Sequence, residues 1–280
     1  MIPAGRQFFK MSGSGNDFVV VDARAEPAGA LERPEVIQAI CAPGTGIGAD
    51  GIVFVEPSRV ASVRMRYLNR DGSLAALCGN ASLCTTRLAV ELGAASAEAL
   101  SIESDSGILQ ARFRDGLPEV DLQPVTELKE WFEAPLEAGE RRIGFAMVGV
   151  PHLCILCEDV EAVGVVERGR PLRRHPGLAA GANVNFLSRA SDGRWLMRTY
   201  ERGVEAETLA CGTGSVASAI LLTAWGEASG AVELTTRSGR TLRVRLKQDS
   251  GSWAPSLSGE ARIVFVGKLG EYLKPEASAA

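Results

Sequence analysis

The chain has 280 residues, 46% hydrophobic, 23% charged and 6% aromatic, with a formal net charge of −4. That length suits about two domains with sizeable cores, and the composition excludes disordered and fibrous chains. Basic residues are scattered through a slight acidic excess, which argues against a nucleic-acid surface or an anionic-membrane patch. No apolar run reaches bilayer length and no apolar stretch follows a basic start, so a cytoplasmic protein acting on a small molecule is expected.

Along the chain, β-branched runs predict strands at 18–21, 52–55 and 63–68. A helix follows, with Ala81, Cys84, Leu88 and Leu92 on one face and Gly93 as its C-terminal cap. Further strands are expected at 100–103, 108–113 and 119–122, then a charged connection over 124–142 containing Pro135 and Gly139. The order then repeats. Strands at 153–156, 184–187 and 195–200 precede a helix carrying Gly214, Ala217, Leu221 and Trp225 and capped by Gly226, and strands at 232–236, 241–246 and 262–266 follow. A frayed tail is expected from Pro275.

The repetition extends to residue types. With Cys78 placed over Cys211, YLNRDGSLAALCGNASLCTTRLAVELG (67–93) falls on YERGVEAETLACGTGSVASAILLTAWG (200–226), and Tyr67, Cys78-Gly79 and Gly93 meet Tyr200, Cys211-Gly212 and Gly226. The expectation is an α/β (α+β) chain of two domains related by pseudo-two-fold symmetry, each a curved, mostly antiparallel sheet around one central helix. Their boundaries are expected at 1–124 and 125–267, with the tail 268–280 free to return to the first half. Both helices are rich in small residues and nearly uncharged, the composition of an enclosed helix.

Each predicted helix starts at a cysteine followed by glycine. Free N–H groups and the positive dipole end of a helix favour a thiolate, and the same groups bind a carboxylate when glycine lets a ligand approach. Two such starts suit inversion of a stereocentre, where a base works on one face of a carbon and an acid on the other. Racemisation or epimerisation is therefore the expected chemistry. The alternatives are a small supply: two histidines, His152 and His175, argue against zinc or Ser-His-Asp catalysis, and Lys10, Lys129, Lys247, Lys268 and Lys274 lie in plain strand, linker or tail contexts that do not suggest a Schiff-base cofactor. The glycine runs at 12–16 and 44–48 are not placed between a strand and a long helix as a dinucleotide loop would be. Cys154 and Cys157 fall three apart in a strand, on opposite faces, and read with Cys41 and Cys84 as buried filler.

At KMSGSGNDFVVVD (10–22), GIGADG (46–51), NRDGS (69–73), LCGN (77–80), GANVNF (181–186) and TYERGVEAETLACGTG (199–214) the sequence resembles the diaminopimelate epimerase family of PLP-independent amino-acid racemases. The resemblance spans nearly the whole chain. It implies Cys78 and Cys211 as the acid/base pair for LL- to meso-2,6-diaminoheptanedioate, on the route to lysine and cell-wall peptide, and no cofactor. It implies Gly79, Asn80, Gly212 and Thr213 around the reacting carboxylate; Asn16, Asn69, Asn183 and Arg202 at the distal amino-acid end; and Glu201 and His152 beside the thiols, keeping their protonation in order. A homodimer is compatible with it.

Three positions depart from the family pattern: Val150, in Gly149-Val150-Pro151-His152, stands where the asparagine of Gly-Asn-Pro-His is common, Leu83 where an arginine often follows CGN, and Gly51 where some relatives carry glutamine. Val150 keeps open a racemase for another amino acid. A third reading is a catalytically degenerate amino-acid-binding module, against which the retention of both thiols speaks.

Overall fold

The computed structural model describes residues 5–75, 77–249 and 251–270. The tail from Pro275 lies outside them. In chain order the elements are β1 (Gln7–Gly13), β2 (Asn16–Asp22), α1 (Pro34–Cys41), β3 (Gly51–Glu56), β4 (Val63–Asn69), β5 (Leu74–Ala75), α2 (Gly79–Glu91), β6 (Leu100–Ser104) and β7 (Gly107–Arg114). There follow β8 (Leu117–Asp121), β9 (Leu128–Lys129), β10 (Glu140–Val148), β11 (Val150–Cys157), α3 (Val165–Arg173), β12 (Asn183–Arg189), β13 (Trp195–Glu201), β14 (Ala206–Thr208), α4 (Gly212–Ala224), β15 (Val232–Thr235), β16 (Thr241–Asp249), β17 (Ser252–Gly259) and β18 (Ala261–Lys268).

The chain divides into two compact units, Met1–Pro118 with Ala261–Ala280, and Glu119–Glu260. In the first, β1 is antiparallel to β2, β2 parallel to β3, β3 antiparallel to β4, β4 parallel to β6 and β6 antiparallel to β7. The second repeats that pattern through β10, β11, β12, β13, β15 and β16. The repeat read from the sequence is thus a repeat of topology, and each unit is a mixed, mostly antiparallel sheet with few helices.

Packing explains the composition of the strands. Phe18–Val21 and 52–55 are buried throughout because β2 and β3 are covered on both faces. One face packs on α1 through Val36, Ile37, Ile40 and Cys41; the other receives α2, whose Ala81, Leu83, Cys84, Leu88 and Ala89 are fully buried. In the second unit α3 packs on Val184, Phe186 and Tyr200, and α4 lies against β10, β11, β12, β16 and β17. The enclosed central helices match the expectation. The outer helices α1 and α3 are additions to it, short segments whose three or four buried residues make a weak periodic signal.

Helix ends behave as local chemistry dictates. Gly93 and Gly226 have φ of 65° and 74°. The Gly93 and Ala94 N–H groups donate to Val90 and Ala89, and the Gly226 and Glu227 N–H groups to Thr223 and Leu222, a Schellman close in both units.

One strand departs from the expected division. Chain order puts the stretch 262–266 in the second half, whereas β18 is antiparallel to β1 and belongs to the first unit. Residues 119–121, expected in the first half, pair with Ser256–Ser258 of β17 in the second unit. Strand propensity reports a strand without saying which edge receives it.

Candidate active site

In the first unit Cys78 is the N-cap of α2, in an extended conformation (φ −136°, ψ 116°), with Gly79 and Asn80 as the first two helical residues. The Asn80 Nδ2 donates to Asn16 Oδ1 at 2.5 Å, and Asn16 Nδ2 donates to Asp50 Oδ2 at 2.9 Å. Behind Asn16, the Asp17 N–H donates to Asp50 Oδ2 and the Asp50 N–H to Asp17 Oδ1, both at 3.2 Å, while Lys10 Nζ bonds the Asp17 carboxylate and the Gly48 carbonyl. Sequence reasoning does not join Lys10, Asp17 and Asp50 to Asn16. Their charges sit in the quoted motifs, but only the fold makes them one network. Asn80 Oδ1 is buried with no partner among the described residues.

Asn69 stands at the end of β4, opposite Gly51. Its Nδ2 donates to Ser73 Oγ at 3.0 Å and its N–H to the Ser73 carbonyl at 2.9 Å, so it also closes the NRDG turn. A Cβ on Gly51 would lie 2.5 Å from both the Leu68 carbonyl and the Tyr67 ring, so this backbone has no room for the glutamine of some relatives. Leu83 is fully buried in the core around α2, a position for an apolar side chain.

The second unit presents the corresponding helix start. Cys211 (φ −138°, ψ 110°) is the N-cap of α4, and its Sγ accepts from the Gly214 N–H at 3.4 Å and lies 3.6 Å from Thr213 Oγ1. The two helices repeat a further contact: Ser82 Oγ meets the Cys78 carbonyl and Met65 Sδ, and Ser215 Oγ meets the Cys211 carbonyl and Met197 Sδ.

Strand parity places the remaining candidates of this unit. Cys154 of β11 meets Ser218 of α4, and Met197 of β13 meets Ser215, so the faces bearing His152 and, on β13, Thr199 and Glu201 are turned to α4. His152 and Asn183 are register partners in the parallel β11–β12 pair. Asn183 Oδ1 accepts from the Arg202 N–H at 2.8 Å, and the Arg202 guanidinium donates to the Ala180 carbonyl at 3.0 Å. The turn after Arg202 is held by Glu205, which accepts from Arg173 Nε at 2.9 Å, Tyr200 OH at 3.2 Å and the Gly203 N–H at 3.2 Å. Val150 is half-buried at the start of β11, next to the Gly149 turn.

His152 is fully buried, and burial, with the Arg202 charge adding to it, lowers its pKa to about 3, so the imidazole is neutral at physiological pH. Burial pushes Cys41, Cys154 and Cys157 up to about 12. Full burial, then the nearby Cys78, pushes Cys84 up as well. These four are thiols at neutral pH, the filler role read from the sequence.

Comparison with known proteins places this arrangement among related chains. The family model described as diaminopimelate epimerase matches residues 8–126 and 144–264. The diaminopimelate epimerase of Gemmatimonas aurantiaca is 48% identical over 273 residues, covering 94% of this chain and 98% of that protein. That of Aquifex aeolicus is 37% identical, covering 95% and 98%. Among solved structures, a Bacillus anthracis phenazine biosynthesis protein of the PhzF family has a TM-score of 0.73 at 17% identity, covering 95% of this chain and 99% of that one. A probable proline racemase from Agrobacterium radiobacter has a TM-score of 0.69 at 19% identity, covering 98% and 94%. These two share the fold.

Proposed function

The chain belongs to the diaminopimelate epimerase family, and on that premise we propose that it interconverts LL-2,6-diaminoheptanedioate and the meso isomer, in the supply of lysine and cell-wall peptide. The observation that carries the proposal is the doubled helix start, a cysteine N-cap followed by glycine in each of two units of the same topology.

In this reading one cysteine acts as a thiolate and takes the α-proton, forming S–H as the C–H bond breaks. The electron pair left on the carbon is delocalised into its carboxylate. The other cysteine, as a thiol, delivers a proton to the opposite face and leaves as thiolate; the reverse reaction exchanges the roles of Cys78 and Cys211. The N–H groups at Gly79, Asn80, Gly212 and Thr213 stabilise the growing negative charge on the carboxylate. Asn16, Asn69, Asn183 and Arg202 hold the distal amino-acid end, the guanidinium pairing with its carboxylate. Glu201 and His152 support the protonation of the thiols.

No helix among the described residues is long and apolar enough to cross a membrane. The reading places the enzyme in the cytoplasm, where thiols stay reduced. Its assembly in this reading is a homodimer, supported by the exposed Val264, Phe265 and Val266 of β18 and tested by sedimentation velocity.

Val150 supports a second substrate reading, another amino acid on the same machinery, because it removes a neutral polar contact at the start of β11. The test is α-proton exchange in D₂O across a panel of amino acids that includes diaminopimelate. Exchange with diaminopimelate at the highest kcat/KM is expected. A higher value for a single-centre amino acid overturns the substrate assignment, and no exchange with any overturns the enzymatic one.

A further inference from the structure

Asn185 lies on β12, fully buried, and nothing in its sequence context marks it out from the other asparagines. Its Nδ2 lies 3.1 Å from the Leu153 carbonyl and 3.3 Å from His152 Nδ1, and its Oδ1 accepts from Thr199 Oγ1 at 3.0 Å. A carbonyl can only accept, so the Leu153 contact fixes which end of the amide is the NH₂. The same NH₂ faces His152, whose Nδ1 must then be the lone-pair nitrogen. In a neutral imidazole the proton is left on Nε2. That Nε2 is buried and has no hydrogen-bond partner among the described residues.

The amide is also wedged against the first turn of α4. A Cβ at Gly214 would lie 2.4 Å from Asn185 Oδ1 and 3.2 Å from the Cys211 Cβ, so Asn185 and the N-cap cysteine flank the same glycine. Arg202 is the charged group acting on the imidazole, and the Cys154 thiol, 3.7 Å from Asn185 Nδ2, is a neutral neighbour.

We infer that Asn185 is a positioning residue that holds His152 in the Nε2–H tautomer, so that the histidine serves the epimerase reaction as a fixed, uncharged hydrogen-bond donor and not as a proton acceptor. The inference rests on the epimerase reading for its catalytic consequence; the tautomer itself does not depend on that reading. A buried N–H that stays neutral stabilises a thiolate or a developing negative charge without taking a proton from either thiol. An imidazole with the opposite tautomer would present a lone pair there and compete for that proton.

The chain contains two histidines, so the full-length protein labelled with ¹⁵N-histidine gives a spectrum with two imidazoles to assign. For His152 the expected pattern is a protonated Nε2 and an unprotonated Nδ1, unchanged from pH 6 to pH 9. A protonated Nδ1, or titration within that range, overturns the inference in the wild-type protein alone. In Asn185→Asp the carboxylate can only accept, so the proton is expected to move to Nδ1 or the ring to become charged. With diaminopimelate, kcat is expected to fall at least about tenfold while KM changes less than about threefold, the behaviour of a group that orients another. Combining Asn185→Asp with His152→Gln should cost no more than His152→Gln alone; additive losses would mean that Asn185 acts independently of the histidine. If the tautomer pattern is as expected but no diaminopimelate turnover is found, the functional reading fails and the positioning of His152 stands.

Discussion

Asn80, in the first turn of α2, donates its side-chain amide to Asn16 at the start of β2 across 2.5 Å, which ties the helix start bearing Cys78 to the β1–β2 turn. In a double-mutant cycle of Asn16→Ala and Asn80→Ala, the coupling in kcat/KM is expected at about 0.5–3 kcal/mol, the range for residues in direct contact. Simple additivity would separate the two asparagines functionally.

Either thiol is expected to be indispensable. Cys78→Ala and Cys211→Ala should each lower kcat by at least ~10²–10⁴, the contribution of a general acid or base, with far-UV circular dichroism unchanged. Turnover within about tenfold of wild type in either variant would contradict an acid/base pair.

Burial holds the other thiols in their protonated, unreactive form. With Cys41, Cys154 and Cys157 pushed up to about 12 and Cys84 also raised, alkylation of native protein at pH 8 should leave these four unmodified. Peptide mapping is expected to find label at Cys78 and Cys211. Label at any of the four before these two would contradict the assignment of roles.

The distal end divides the two substrate readings. Arg202→Met should raise KM for diaminopimelate steeply, and Val150→Asn should tighten its binding by the ~0.5–1.5 kcal/mol of one net hydrogen bond. Steady-state kinetics with diaminopimelate and single-centre amino acids measures both. An Arg202→Met enzyme as efficient as wild type would remove the distal-carboxylate role.

Acid stability carries the signature of His152. Its folded pKa, lowered to about 3 by burial and then by Arg202, lies below the ordinary 6.5. The unfolded chain therefore binds one more proton between those values. The stabilisation is full above about pH 6.5 and is lost as pH falls toward 3, with a slope approaching about 1.4 kcal/mol per pH unit. Urea melts between pH 6.5 and 5 should show that slope as an excess over His152→Gln. Parallel curves would mean that the imidazole charges freely in the fold.

Much of this was legible because helix ends are local. Cys78-Gly79 and Cys211-Gly212 at the starts, and Gly93 and Gly226 at the ends, satisfy backbone groups within a few residues, so their chemistry is written in consecutive letters. The pairing of β18 with β1 was not, because strand propensity carries no address. Nor was the support of Asn16 by Lys10, Asp17 and Asp50, or of His152 by Asn185. These contacts join positions 33 or more residues apart in the cases of Asn16 with Asp50 and Asn185 with His152. Asn69 illustrates an overlap: the side chain read as a substrate ligand also closes the turn with Ser73.

The central claim, inversion by two separate thiols, is tested most directly by following the α-hydrogen during the first few per cent of turnover of LL-diaminopimelate in D₂O. Two acid/base groups predict deuterium at the inverted α-carbon of the meso product and none in the recovered LL substrate, because the cysteine that took the proton is not the one that returns it. Deuterium appearing equally in both pools, or the original proton carried into the product, would mean that one group serves both faces and would contradict the account.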